Sequence, residues 1–123
     1  LFITQPEVNN LPLSTMHGVV IPSRDNLDLV SYLSLPLMSD PNQDGKPEQT
    51  SPLVLLVHGG PWARDEFGFN SLAQWLTNRG YSVLQVNFRA STGFGKTFLN
   101  AGNKEWAGAM HNDLIDAKVW AVL

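Results

Sequence analysis

Residues 58–61 read His58-Gly59-Gly60-Pro61 and follow five unbroken apolar residues, Leu53–Val57. Two adjacent glycines let a chain turn sharply and leave its amide N–H groups open to a ligand. Open N–H groups beyond the end of a strand suit one task well: stabilising the oxyanion that forms when a nucleophile adds to a carbonyl. The plainer alternative is a tight strand-to-helix turn that uses glycine for geometry alone. Spacing weighs the two equally. Trp62 follows directly and is placed to line an acyl or side-chain pocket.

Serine chemistry also needs a nucleophile beside a histidine, with a third group to orient it. No G-x-S-x-G occurs. The nearest stretch, Arg89-Ala90-Ser91-Thr92-Gly93, lacks the first glycine, so Ser91 reads as a loop serine satisfying local backbone. Ala90–Thr97 also falls one residue short of the phosphate loop G-x-x-x-x-G-K-[ST], with Ala90 where the first glycine belongs. No later strand ends in the acid that would help hold magnesium, which makes nucleotide binding a weak alternative. Asp40, Asn42, Asp44 and Gly45 match the start of a calcium loop, yet Ser51 stands where its bidentate acid is expected. Turn formation explains the same residues. His17, His58 and His111 show no i, i+4 pair and no HExxH, so no metal site is expected. Asp113 and Asp116 read as acids complementing the first turns of a helix dipole, and the tryptophans other than Trp62 read as core.

These residues need elements to position them. Leu53–Val57 suits a strand buried on both faces of a parallel sheet. Thr15–Ile21 and Leu27–Leu35 alternate as strands around the turn Ser23–Asn26, an antiparallel hairpin. Phe69, Leu72, Ala73 and Leu76 form one face of a helix capped by Asn70 or Ser71 and stopped by Gly80. Tyr81–Phe88 is the next strand. One or two helical turns are expected around Trp106, and a helix from His111 to Leu123 with Leu114, Ile115, Val119, Trp120 and Val122 apolar. Ser39–Pro52, with three prolines, is a surface loop. Leu1–Leu13 reads as an incoming linker with a short strand. The order predicts a mixed sheet with a right-handed parallel crossover, an α/β fold.

At 123 residues the chain is one domain at most. Its net charge of −3 gives no reason to expect nucleic acid or anionic membrane as a partner. With no cysteine, disulfides and thiolate metal sites are excluded and the compartment stays undecided. No apolar run approaches the ~20 residues of a membrane-spanning helix.

Together, PLVLLVHGGPWARD (52–65), NRGYSVLQVNFRASTGFGK (78–96), AGNKEWAG (101–108) and HNDLIDA (111–117) resemble the prolyl oligopeptidase family of serine peptidases. The likeness is to its bacterial acylaminoacyl-peptidase and dipeptidyl-aminopeptidase-like branch. It implies a partial α/β-hydrolase fold, the N-terminal half of a catalytic domain over 15–123, with 1–14 as the connection from a preceding domain. It implies that the Gly60 N–H donates to the oxyanion, that His58, Gly59 and Pro61 support the loop, and that no cofactor is needed. The family's elbow serine, acid and base would lie beyond Leu123, so this chain alone is expected to be inactive. In the parent the substrate would be a peptide or acyl-peptide, with an esterase on the same fold as the alternative. The family has glycine where Ala90 stands, which matters only if that position needs positive φ. Leu53–Val57, left without a fifth strand beside it, is expected to drive homo-oligomerisation.

Overall fold

The computed structural model describes residues 6–60 and 62–122. Strands β1 (Met16–Pro22), β2 (Asp28–Ser34), β3 (Leu53–Leu56) and β4 (Ser82–Val86) form one mixed sheet in the order β1-β2-β4-β3. Helices α1 (Ser71–Thr77), α2 (Lys96–Asn100) and α3 (Ala109–Val122) complete it, with a 3-10 turn at Pro6–Asn10; the apolar patch before Pro6, where the short strand of Leu1–Leu13 was expected, lies outside the described residues. β1 and β2 make the predicted antiparallel hairpin, Met16 opposite Ser34 and Pro22 opposite Asp28. Its turn closes through Ser23, whose Oγ accepts from the Leu27 N–H and donates to Asp25 Oδ1. β3 and β4 run parallel, with Leu53 opposite Ser82 and α1 between them in sequence.

The strand buried on both faces is β4, whose five residues are all buried. β3 is only half-buried along its length, and Val57 lies exposed beyond its end. This corrects the sequence reading. An unbroken apolar run does not say how many neighbours a strand has. β4 sits between β2 and β3, while β3 pairs with one strand among the described residues.

Both main helices bury small side chains. Asn70 caps α1, its side chain accepting from the Ala73 N–H at 2.9 Å, and the helix buries Ala73 and Thr77. Phe69 and Leu72, expected on the core face, are exposed. α3 buries Met110, Asp113 and Ala117, spaced i, i+3, i+7, and leaves Ile115, Val119, Trp120 and Val122 largely outside. All four tryptophans are exposed, against the expectation of a core role for three of them. Small residues let these helices lie close to the sheet, which turns their larger side chains outward.

An ion network ties the hairpin to α3. Arg89 leaves β4's end and is almost fully buried. Its Nε and Nη2 donate to both oxygens of Asp113 at 2.9 and 2.7 Å, and its backbone N–H donates to the same carboxylate at 2.9 Å. Nη1 and Nη2 donate to Asp25 in the hairpin turn at 2.9 and 2.8 Å. Asp113 is therefore a buried ion-pair partner in the second turn of α3, and the helix-dipole reading is corrected. Asp116, one turn on, holds Arg24 at 2.7 Å. In the Ser39–Pro52 loop, buried Asp40 accepts from the Asp44 and Gly45 N–H groups, so the first oxygen pair of the calcium pattern is engaged by backbone.

Two outcomes follow from the Arg89 network. Arg89→Met leaves Asp113 buried without a cation and should lower unfolding free energy by ~3–5 kcal/mol, read by denaturant titration. Bonds from Arg89, then from Ser23, hold the Asp25 carboxyl down at about 2, and Arg24 holds Asp116 low as well. A depressed carboxyl stabilises the fold above its unfolded value and loses that contribution as pH falls through the folded one. Melting temperature should therefore drop between about pH 4 and pH 2, and Asp25→Asn should flatten part of that slope.

Candidate active-site loop

His58, Gly59 and Gly60 lie just beyond the carboxyl end of β3, where α/β sheets place their binding groups. Gly60 has φ +129°, a conformation that side chains rarely adopt. A Cβ there would stand 2.8 Å from the Trp62 amide nitrogen and 3.1 Å from that of Ala63. Glycine is thus required both by torsion and by space. Pro61 lies outside the described residues.

The loop is tied along its length to β4 and the loop that follows. His58 Nε2 lies 2.9 Å from Ser91 Oγ, and Nδ1 lies 2.8 Å from the Gly59 carbonyl oxygen. The imidazole stacks on Phe88, centroids 4.6 Å apart and planes 14° from parallel. Further on, the Thr92 N–H donates to the Ala63 carbonyl at 2.9 Å. The Arg64 guanidinium lies against Gly93 and over the Phe94 ring. Asp65 closes the series: its N–H donates to Asn87 Oδ1 and its carboxylate accepts from Gln85 Nε2. A loop of exposed glycines is thereby held in one shape.

The opposing loop carries its own constraint. Ala90 is buried with φ +76°, so the position does need the left-handed region. Alanine there costs roughly 1–2 kcal/mol over glycine in backbone strain. Its methyl packs beside Gly102, where any side chain would collide with Ala90 and Met110. Ser91 is 0% exposed, and its Oγ also lies 2.6 Å from the Phe88 carbonyl oxygen. Lys96 opens α2 as an exposed residue.

A cavity of about 290 Å³ adjoins the glycines, lined by His58, Gly59, Gly60, Phe88, Trp106 and Met110 among others. Trp62 is 73% exposed and is not part of that lining; Trp106 is. Sequence reasoning singled out His58, Gly59 and Gly60 but not Phe88, Trp106 or Met110, nor the contact between His58 and Ser91. Nothing in spacing pairs residues 33 positions apart. Among the described residues no cluster of three or more His, Asp or Glu could hold a metal ion.

Residues 67–122 match the model of the prolyl oligopeptidase family. The dipeptidyl aminopeptidase BIII of Pseudoxanthomonas mexicana is 62% identical over 99% of this chain. The chain is thus similar to the prolyl oligopeptidase family. Dipeptidyl peptidase family member 6 of Caenorhabditis elegans is 47% identical over 97% of the chain. The chain spans 18% of the length of each of these relatives. The fold is shared with the acylaminoacyl peptidase of Pyrococcus horikoshii, at a TM-score of 0.79 and 20% identity over 94% of this chain and 18% of that one. A puromycin-hydrolyzing peptidase from Mycobacterium tuberculosis gives 0.74 at 24% identity, over 89% of this chain and 16% of its own. The four-stranded sheet and its helices are a partial α/β-hydrolase fold.

Proposed function

We propose that this chain supplies the oxyanion loop of a serine peptidase acting on peptide or acyl-peptide substrates by acyl transfer. One observation carries the reading: Gly60 sits at φ +129° in a loop bonded through His58, Ala63 and Asp65 to β4 and the loop that follows it. A preorganised N–H stabilises a developing oxyanion without reorganising during the reaction. His58 then holds the loop and Gly59 supports it. Residues 15–123 are the front of the catalytic domain and 1–14 its connection to a preceding one. The relatives' names, aminopeptidase and peptidase, support peptide over simple ester substrates. No G-x-S-x-G lies within the 123 residues, and Ser91 is buried and bonded, so the chain alone does not turn over.

In the full-length protein, Gly60→Ala keeps the N–H but drives a Cβ into the Trp62 amide. The expected loss in kcat is ~10²–10³, the worth of one oxyanion donor. Unchanged turnover would reduce the loop to a turn. A fluorophosphonate should label the full-length protein and leave the 123-residue chain unlabelled; labelling of Ser91 would overturn the assignment.

We also propose that the 123-residue chain self-associates through β3. Leu53–Leu56 carries no charge, proline or bulge, and an unprotected apolar edge recruits another strand. Light scattering behind a sizing column should show a dimer or larger species, and Leu55→Lys should disperse it. A monomer at high concentration would rule this out.

A further inference from the structure

The arginines of the chain meet different partners. Arg24 holds Asp116, and Arg89 holds Asp25 and Asp113. Arg79 lies over the Trp75 ring one helical turn back and donates to that residue's carbonyl, a local contact. Arg64 stands on the loop after β3, four residues beyond Gly60. Among the described residues no carboxylate lies within ion-pair distance of it. The side chain is held all the same. Its guanidinium carbon sits 4.9 Å from the centre of the Phe94 ring. Gly93 has φ +90°, and any Cβ there would overlap Arg64 Nη1. The backbone on either side is tied down as well: the Thr92 N–H donates to the Ala63 carbonyl at 2.9 Å, and the Asp65 N–H donates to Asn87 Oδ1 at 2.8 Å. The acceptor its donors do reach, the Asp65 carbonyl, is 3.4 Å from Nε, beyond the usual range of an N–H···O bond.

Packing therefore orients this guanidinium while its Nη donors have no protein acceptor among the described residues. The Phe94 ring attracts the charge but offers no oxygen. A planar guanidinium held in one orientation matches one ligand chemistry above others: a carboxylate taken through two parallel N–H···O bonds. A linear peptide carries one free α-carboxylate, at its C-terminus. In acyl transfer that end departs with the amine, so it always lies on the leaving side of the cleaved bond. Four residues span at most roughly 14 Å, and an extended peptide advances about 3.3 Å per residue. A carboxylate two or three residues past a carbonyl held at Gly60 falls within that span.

We propose that Arg64 is a specificity-determining residue that docks a substrate carboxylate on the leaving side of the cleaved bond, the C-terminal carboxylate of a short peptide. This rests on the oxyanion reading above and adds a substrate class to it. It also gives a role to Gly93, since only a residue without a side chain leaves room for Nη1.

The test uses full-length protein and paired peptides whose C-terminus, free or amidated, lies two or three residues past the cleaved bond. Wild type should favour the free acid, and the preference should shrink as salt rises. This comparison needs no variant, and a wild type that treats acid and amide alike overturns the proposal. Arg64→Met should lower kcat/KM for the acid roughly 10-fold, as expected of one lost hydrogen bond to a charged group, and leave the amide within about twofold. The loss should appear in KM. Arg64→Lys, which keeps the charge without the planar fork, should recover part of the preference. A purely structural Arg64 would lower acid and amide equally, which overturns the role. Amidated peptides bearing Glu or Gln in the leaving portion separate the two sources of a carboxylate: an Arg64-dependent preference confined to Glu overturns the C-terminal assignment. The oxyanion reading is judged separately, on turnover of the amide by Gly60→Ala, so the two failures are distinguishable.

Discussion

The rest of the structure depends on one buried guanidinium. Arg89 stands where β4 ends and takes both oxygens of Asp113 from α3 and both of Asp25 from the hairpin turn. These three segments lie far apart in sequence, and the network holds them at one point. A buried pair gives little net stability compared with an apolar replacement, because both charges lose water. What it supplies is position. Bidentate geometry fixes the direction of each partner as well as its distance, so the backbone leaving Arg89 starts from a defined orientation.

That orientation is handed on through Ala90. A left-handed residue immediately after an anchored arginine directs the chain abruptly toward β3. Ser91 and Thr92 then meet the glycine loop at His58 and at Ala63. The glycines are free to turn, and that freedom is useful only once something removes it. The loop after β4 does so by bonding both ends of the loop after β3. Preorganisation here comes from the neighbouring strand's loop and not from the motif that carries the N–H group.

The helices follow a different rule. α1 and α3 bury Ala73, Thr77, Met110, Asp113 and Ala117 and turn most of their aromatic and branched residues outward. A helical wheel ranks faces by hydrophobicity, whereas close helix-to-sheet contact selects for small size. The two criteria point to different faces, which is why Ala73 and Ala117 are buried while Phe69 and Trp120 are not.

By itself the sequence determined what local chemistry decides. The hairpin came from alternation and a four-residue polar turn, α1's start from Asn70, and the glycine loop from two adjacent glycines after an apolar run. The family was legible too, because its loops are short and their residues contiguous. Only tertiary structure decided which strand is central. Leu53–Val57 and Tyr81–Phe88 are both apolar runs, and neighbour count is not written in either. It also decided that Asp113 is a buried partner of Arg89, that Ala90 must take positive φ, and that Ser91 meets His58. Each joins residues about twenty or more positions apart, or depends on a backbone torsion. Neither periodicity nor local propensity reports on such pairs, since both are sums over near neighbours along the chain.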